Sequence, residues 1–98
     1  MLYDGARRFL FQASAALDEG SPLIAHQRLR RAEDILSELL ATLDLERGGE
    51  VASRLQGLYT FFLAELNRAR VESDPRRIDF VHAQLSELRE AWAQAAVA

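Results

Sequence analysis

The sequence contains no cysteine and no lysine. Without cysteine there is no disulfide, no thiolate nucleophile and no cysteine-bound zinc. Without lysine, Schiff-base chemistry and the lysine of a phosphate-binding loop are excluded. Only 2 prolines and 5 glycines occur in 98 residues, a scarcity that argues against a turn-rich sheet protein. No apolar run approaches the ~18 residues of a membrane-spanning helix, and no secretory hydrophobic segment opens the chain. The net charge is −3, with 12 basic residues against 15 acidic ones, which leaves no basic surplus for holding a nucleic acid. What is abundant is alanine and leucine, 16 of each, so a third of the chain consists of two strong helix formers. With 49% apolar and 28% charged residues, the expectation is one soluble, intracellular, all-helical domain spanning residues 1–98.

Punctuation divides the chain into four segments. Gly20-Ser21-Pro22 offers a left-handed helix stop, an N-cap oxygen and a first-turn proline in succession. Asp74-Pro75 repeats the start signal, and Asp44-Leu45-Glu46-Arg47-Gly48-Gly49 reads as a polar connection. Helices are therefore expected near 1–19, 22–43, 50–72 and 75–96. The short connections predict an antiparallel up-down-up-down four-helix bundle.

Each segment carries an apolar stripe at helical spacing. Leu2, Ala6, Phe9, Leu10, Ala13 and Leu17 share a face of the first. Leu29, Ala32, Leu36, Leu39, Leu40 and Leu43 share one on the second, widened by Ile24 and Ile35. The third has Val51, Leu55, Leu58, Tyr59, Phe62 and Leu66. The fourth has Ile78, Val81, Leu85, Leu88 and Trp92, with Trp92 expected in the core. Several apolar residues fall outside these stripes: Phe11 lies nearly opposite the first, Phe61 and Leu63 flank the third, and Phe80 stands off the fourth. A broad stripe is commonly just core, but contiguous exposed apolar surface marks an interaction site.

Catalytic chemistry finds no support. His26 and His82 lack the repeated Glu-x-x-His spacing of a di-metal bundle, with Asp79-x-x-His82 the one partial match. No serine sits in a nucleophile elbow, and Gly48-Gly49 lacks the strand and lysine of a phosphate loop. Carboxylates interleave with arginines, as in Glu65/Arg68 and Glu87/Arg89/Glu90, which reads as a solvated, salt-bridged face. Arg28, Arg30 and Arg31 cluster, but Glu33 and Asp34 follow at once. No enzyme activity, metal or cofactor is expected.

The order of four short blocks is more specific. The opening Met1-Leu2-Tyr3-Asp4-Gly5-Ala6, followed by Phe9-Leu10, resembles the first-helix signature of the flagellin-specific export chaperones, the FliS family. Arg31-Ala32-Glu33-Asp34-Ile35-Leu36 leads to Leu39 and Thr42-Leu43-Asp44. Gly48-Gly49-Glu50-Val51-Ala52 follows, with Leu55, Leu58 and Tyr59, and Leu88-Arg89-Glu90-Ala91-Trp92 comes last. The resemblance covers nearly the whole chain in the family's order. Thr60, Arg70 and Phe11 depart from the family's usual acidic, asparagine and polar residues. Family members carry further residues before the Leu-Tyr-Asp-Gly block, so an N-terminal arm and the start of helix one are expected to be missing here.

The resemblance implies a cytoplasmic chaperone that holds the disordered C-terminal tail of flagellin in apolar grooves outside the bundle. It implies prevention of premature polymerisation and presentation of the subunit to the type III export gate, without nucleic acid or membrane insertion. Such recognition is helix-in-groove binding coupled to folding of the ligand. The expected partner-binding residues are Leu2, Tyr3, Ala6 and Leu10 on the first helix, with Leu58, Phe61, Phe62 and Leu63 on the third. The alternative is a small structural bundle that self-associates through its spare stripes, and a homodimer of this short form through the first helix is a further expectation.

Overall fold

A computed structural model describes residues 2–97, with side chains described for 2–92. Met1, with which the first helix was expected to begin, lies outside the described residues. Four helices follow one another: α1 (Leu2–Asp18), α2 (Pro22–Ala41), α3 (Leu45–Glu72) and α4 (Pro75–Val97), with no strand among the described residues.

The helix boundaries follow from local chemistry. Gly20 ends α1 at φ 77°, and the Ser21 N–H reaches back to the Ala16 carbonyl over 2.8 Å, closing the left-handed stop that glycine permits. Ser21 caps α2 through its backbone carbonyl, which accepts from Ala25 N, and its hydroxyl makes no cap. Asp74 does cap with its side chain: Oδ1 accepts the Arg76 N–H at 3.0 Å. The connection expected at 44–49 is largely helical. Asp44 caps it by accepting from Arg47 N, one helical turn follows, and the break comes at Gly49, where φ 52° and ψ −129° leave helical space.

Each helix packs against its neighbours in the chain, and α4 closes the ring by returning onto α1. Cross-helix pairs run in opposite order along the seams. Asp4, Arg7 and Ser14 of α1 face Arg89, Ser86 and Asp79 of α4, which makes these two helices antiparallel. Phe9 and Gly5 meet Arg31 and Ile35 of α2, and Phe61 and Glu65 of α3 meet Phe80 and Arg77 of α4, in the same sense.

The core is built from the stripes. Leu10, Leu29, Leu36, Phe62, Leu66, Ile78 and Leu85 are fully buried, each contributing ~1.5–3 kcal/mol relative to exposure. Ala6, Ala13, Ala32 and Ala69 are equally buried, and their small side chains let the helices approach closely. Gly5 serves the same end, since an added Cβ would lie 3.3 Å from Ile35 Cδ1.

Four stripe residues depart from expectation. Leu2, Ile24, Val51 and Trp92 are all exposed, Ile24 because it lies on the flank of its stripe in the first turn of α2. By the register of the seams, Trp92 stands one turn beyond Arg89, where α1 offers only its first turn as cover. Val51 follows the Gly49 break and stands level with the exposed Glu90 and Ala91 of α4, so nothing closes over it.

Candidate partner-binding surface

Arginine–carboxylate pairs close three of the four seams between helices, and Glu65 and Arg89, grouped by sequence spacing with charges of their own helices, reach across seams instead. Asp4 accepts from Arg89 at 2.5 Å across α1/α4, Glu33 pairs with Arg70 across α2/α3, and Glu65 pairs with Arg77 at 3.0 Å across α3/α4. The Arg89 hydrogen bond holds the Asp4 carboxyl below the usual carboxylate range. The Glu65 hydrogen bond likewise raises Arg77 above its ordinary value. The α1/α2 seam carries instead the Arg31 guanidinium over the Phe9 ring, 5.2 Å from its centroid. Arg70 thus has a definite structural task, joining α3 to α2.

The eight expected binding residues divide by burial. Ala6, Leu10 and Phe62 are sealed in the core and cannot line an open groove; they shape the helices that carry it. Tyr3 is also buried, and its hydroxyl bonds that of Tyr59 across the bundle. Burial and then this bond push the Tyr59 phenol well above its usual range. Leu58 and Leu63 are half-buried against the core. Leu2 and Phe61 are the exposed ones, at 49% and 47%.

Phe61 does not stand alone. Its ring meets Phe80 of α4 edge-on, centroids 6.2 Å apart at 88°, and Phe80 is 45% exposed. The two rings form an aromatic ridge along the α3/α4 seam, with Phe62 beneath at 6.3 Å and Leu58 one turn before Phe61. Leu63 belongs to the other flank of α3. It lies two turns from Arg70, which pairs with α2, so no single groove contains both Phe61 and Leu63. Phe80 was visible as an off-stripe aromatic in the sequence, but only the α3/α4 packing shows that it pairs with Phe61.

A second feature lies on the α1/α4 seam. Asp4, Arg7, Arg8, Phe11 and His82 line a cleft of about 260 Å³. Arg7 donates to Ser86 Oγ at 2.9 Å and to Asp4 at 3.1 Å. Burial lowers the His82 pKa, the Arg7 charge adds to that effect, and Asp79 partly opposes it.

No helix of the described residues is long and apolar enough to cross a membrane. None of their side chains form a group of three or more histidines and carboxylates able to hold a metal. The family profile described as flagellar protein FliS matches residues 1–98. The chain belongs to the FliS family. It is 37% identical over 95 residues to the flagellar secretion chaperone FliS of Salmonella typhimurium, covering 96% of this chain and 70% of that one. The FliS of Vibrio cholerae is 35% identical over 94 residues, with 96% and 69% covered. That of Campylobacter jejuni is 39% identical over 92 residues, with 94% and 72% covered. These FliS proteins are named as chaperones and not as enzymes. Membership places this chain among flagellar export chaperones rather than among enzymes.

Proposed function

We propose that this FliS protein holds the C-terminal segment of flagellin in the cytoplasm, on the outside of the bundle, and helps present it to the export gate. The observation that carries this reading is the exposed Phe61/Phe80 ridge on a bundle whose core is otherwise closed. Two large rings standing in water beside each other are costly unless a partner covers them. An amphipathic helix laid along the α3/α4 seam would bury them with Leu58, and ordering of a disordered tail would accompany binding.

Calorimetry with a flagellin C-terminal peptide tests this. Binding is expected with a negative heat-capacity change and a gain of peptide helicity. Phe61→Ala is expected to weaken binding by ~1–2 kcal/mol while lowering folding stability by less, because Phe61 lies outside the core. Equal losses in both, or no binding, would count against the proposal. Concentration-dependent dimers in light scattering that persist with excess peptide would favour the self-associating bundle instead.

A further inference from the structure

The α1/α4 cleft concentrates positive charge on a chain whose net charge is −3. Arg7, Arg8 and Arg89 gather there against Asp4, with Asp79 beside His82 and held by the Ser14 hydroxyl at 2.7 Å. The Asp4 carboxylate is already shared by Arg7 and Arg89. Arg8 takes part in no ion pair among the described residues; its guanidinium rests over Phe9, 5.6 Å from the ring centroid. One turn along from Arg8 stands Phe11, 68% exposed. A neutral imidazole at His82 supplies one further N–H donor. The cleft therefore offers an unspent cation, a ring and a polar donor side by side.

We propose that this cleft is a docking surface for a helical segment of another protein that presents a carboxylate and an apolar side chain one turn apart. The carboxylate meets Arg8, and the apolar group lies on Phe11. The spacing follows from α1 itself, where Arg8 and Phe11 are three residues apart on one face. The cleft volume, about 260 Å³, suits two side chains and falls short of the ~300–1,000 Å³ typical of small-molecule sites. Phe80 and His82 are two residues apart, roughly 200° around α4, so the aromatic ridge and the cleft occupy opposite flanks of one helix. The cleft can be filled while the ridge stays open.

The test uses two helical peptides of about 14 residues, long enough for nearly four turns. One carries Glu and Leu one turn apart; the other has Lys in place of that Glu. Nuclear magnetic resonance of the full chain should show the Glu peptide shifting the amides of Asp4–Phe11 and His82–Arg89. Arg8→Glu should weaken that binding roughly tenfold or more and should make the Lys peptide the better ligand. Phe11→Ser should weaken both peptides, and circular dichroism should show that each variant keeps its helix content. Equal binding of the two peptides to the unaltered chain would overturn the proposal, as would shifts confined to residues near Phe61 and Phe80. Identical shifts on adding inorganic phosphate alone would make the cleft a small-anion site and would also overturn it. A flagellin C-terminal peptide bound at the ridge should leave the shifts of the cleft intact, and displacement there would refute the separation of the two surfaces. Failure of the flagellin peptide to bind leaves the cleft measurement standing on its own.

Discussion

The Trp92 indole donates to Tyr3 Oη at 3.2 Å, and an indole nitrogen can only donate. The Tyr3 hydroxyl also bonds that of Tyr59, so one chain of polar side chains ties α4, α1 and α3 together at one end of the bundle. Trp92 is nonetheless 45% exposed. Trp92→Ala should cost about 1–2 kcal/mol, well short of the ~3–5 kcal/mol expected for a buried tryptophan. Urea unfolding measures that loss, and ready quenching of Trp92 fluorescence by iodide would confirm the exposure. Tyr59→Phe should also cost about 1–2 kcal/mol, because it strands a buried Tyr3 hydroxyl with a single partner. The helical spacing of Ile78, Leu85 and Trp92 made the tryptophan look like core. Spacing reports which face a residue occupies; it does not report whether a neighbouring helix reaches far enough to cover it.

At the level of elements, α3 is two helical pieces joined at Gly49. Its left-handed φ with ψ −129° is a backbone that residues with a Cβ rarely adopt, so Gly49→Ala should destabilise by about 1–3 kcal/mol. Gly48 is constrained differently: a Cβ there would stand 2.5 Å from Ala52 Cβ, a clash between two atoms with no rotamer to escape into. Ser73 offers the opposite case. It ends α3 at φ 52° without being glycine, and Ser73→Gly should raise stability by up to about 1 kcal/mol. Thermal denaturation of the Gly49 and Ser73 variants should therefore shift in opposite directions. The pair Gly48-Gly49 marked a boundary in the sequence correctly. The extra turn before it was not legible, because Asp44 capping of Arg47 N depends on a backbone geometry that composition does not encode.

For the molecule as a whole, pH should act in two stages. The His82 pKa is depressed in the folded state, so below about 6.5 the unfolded chain binds more protons and stability begins to fall. The Asp4 and Asp74 carboxyls are held below their ordinary 3.8 by Arg89 and Arg76, so their contribution is present above that value and is lost as pH drops through the lower folded values. His82→Gln should flatten the first stage and leave the second, as read from urea midpoints between pH 7 and pH 3. Four helices, their ring order and most of the core were legible because alanine-leucine stripes and capping residues act locally. The seams were not: which arginine meets which carboxylate, and that Phe61 finds Phe80, depend on registers set by all four helices together. The ring order has a further consequence. Three of its four seams join consecutive helices, whereas the α1/α4 seam joins segments some 85 residues apart, as Asp4 and Arg89 are. The cleft between them has no existence in a nascent or partly unravelled chain, however well its first three helices are formed. A partner that needs both walls of the cleft, Arg8 and Phe11 on α1 and His82 on α4, engages only chains in which the last helix has docked on the first.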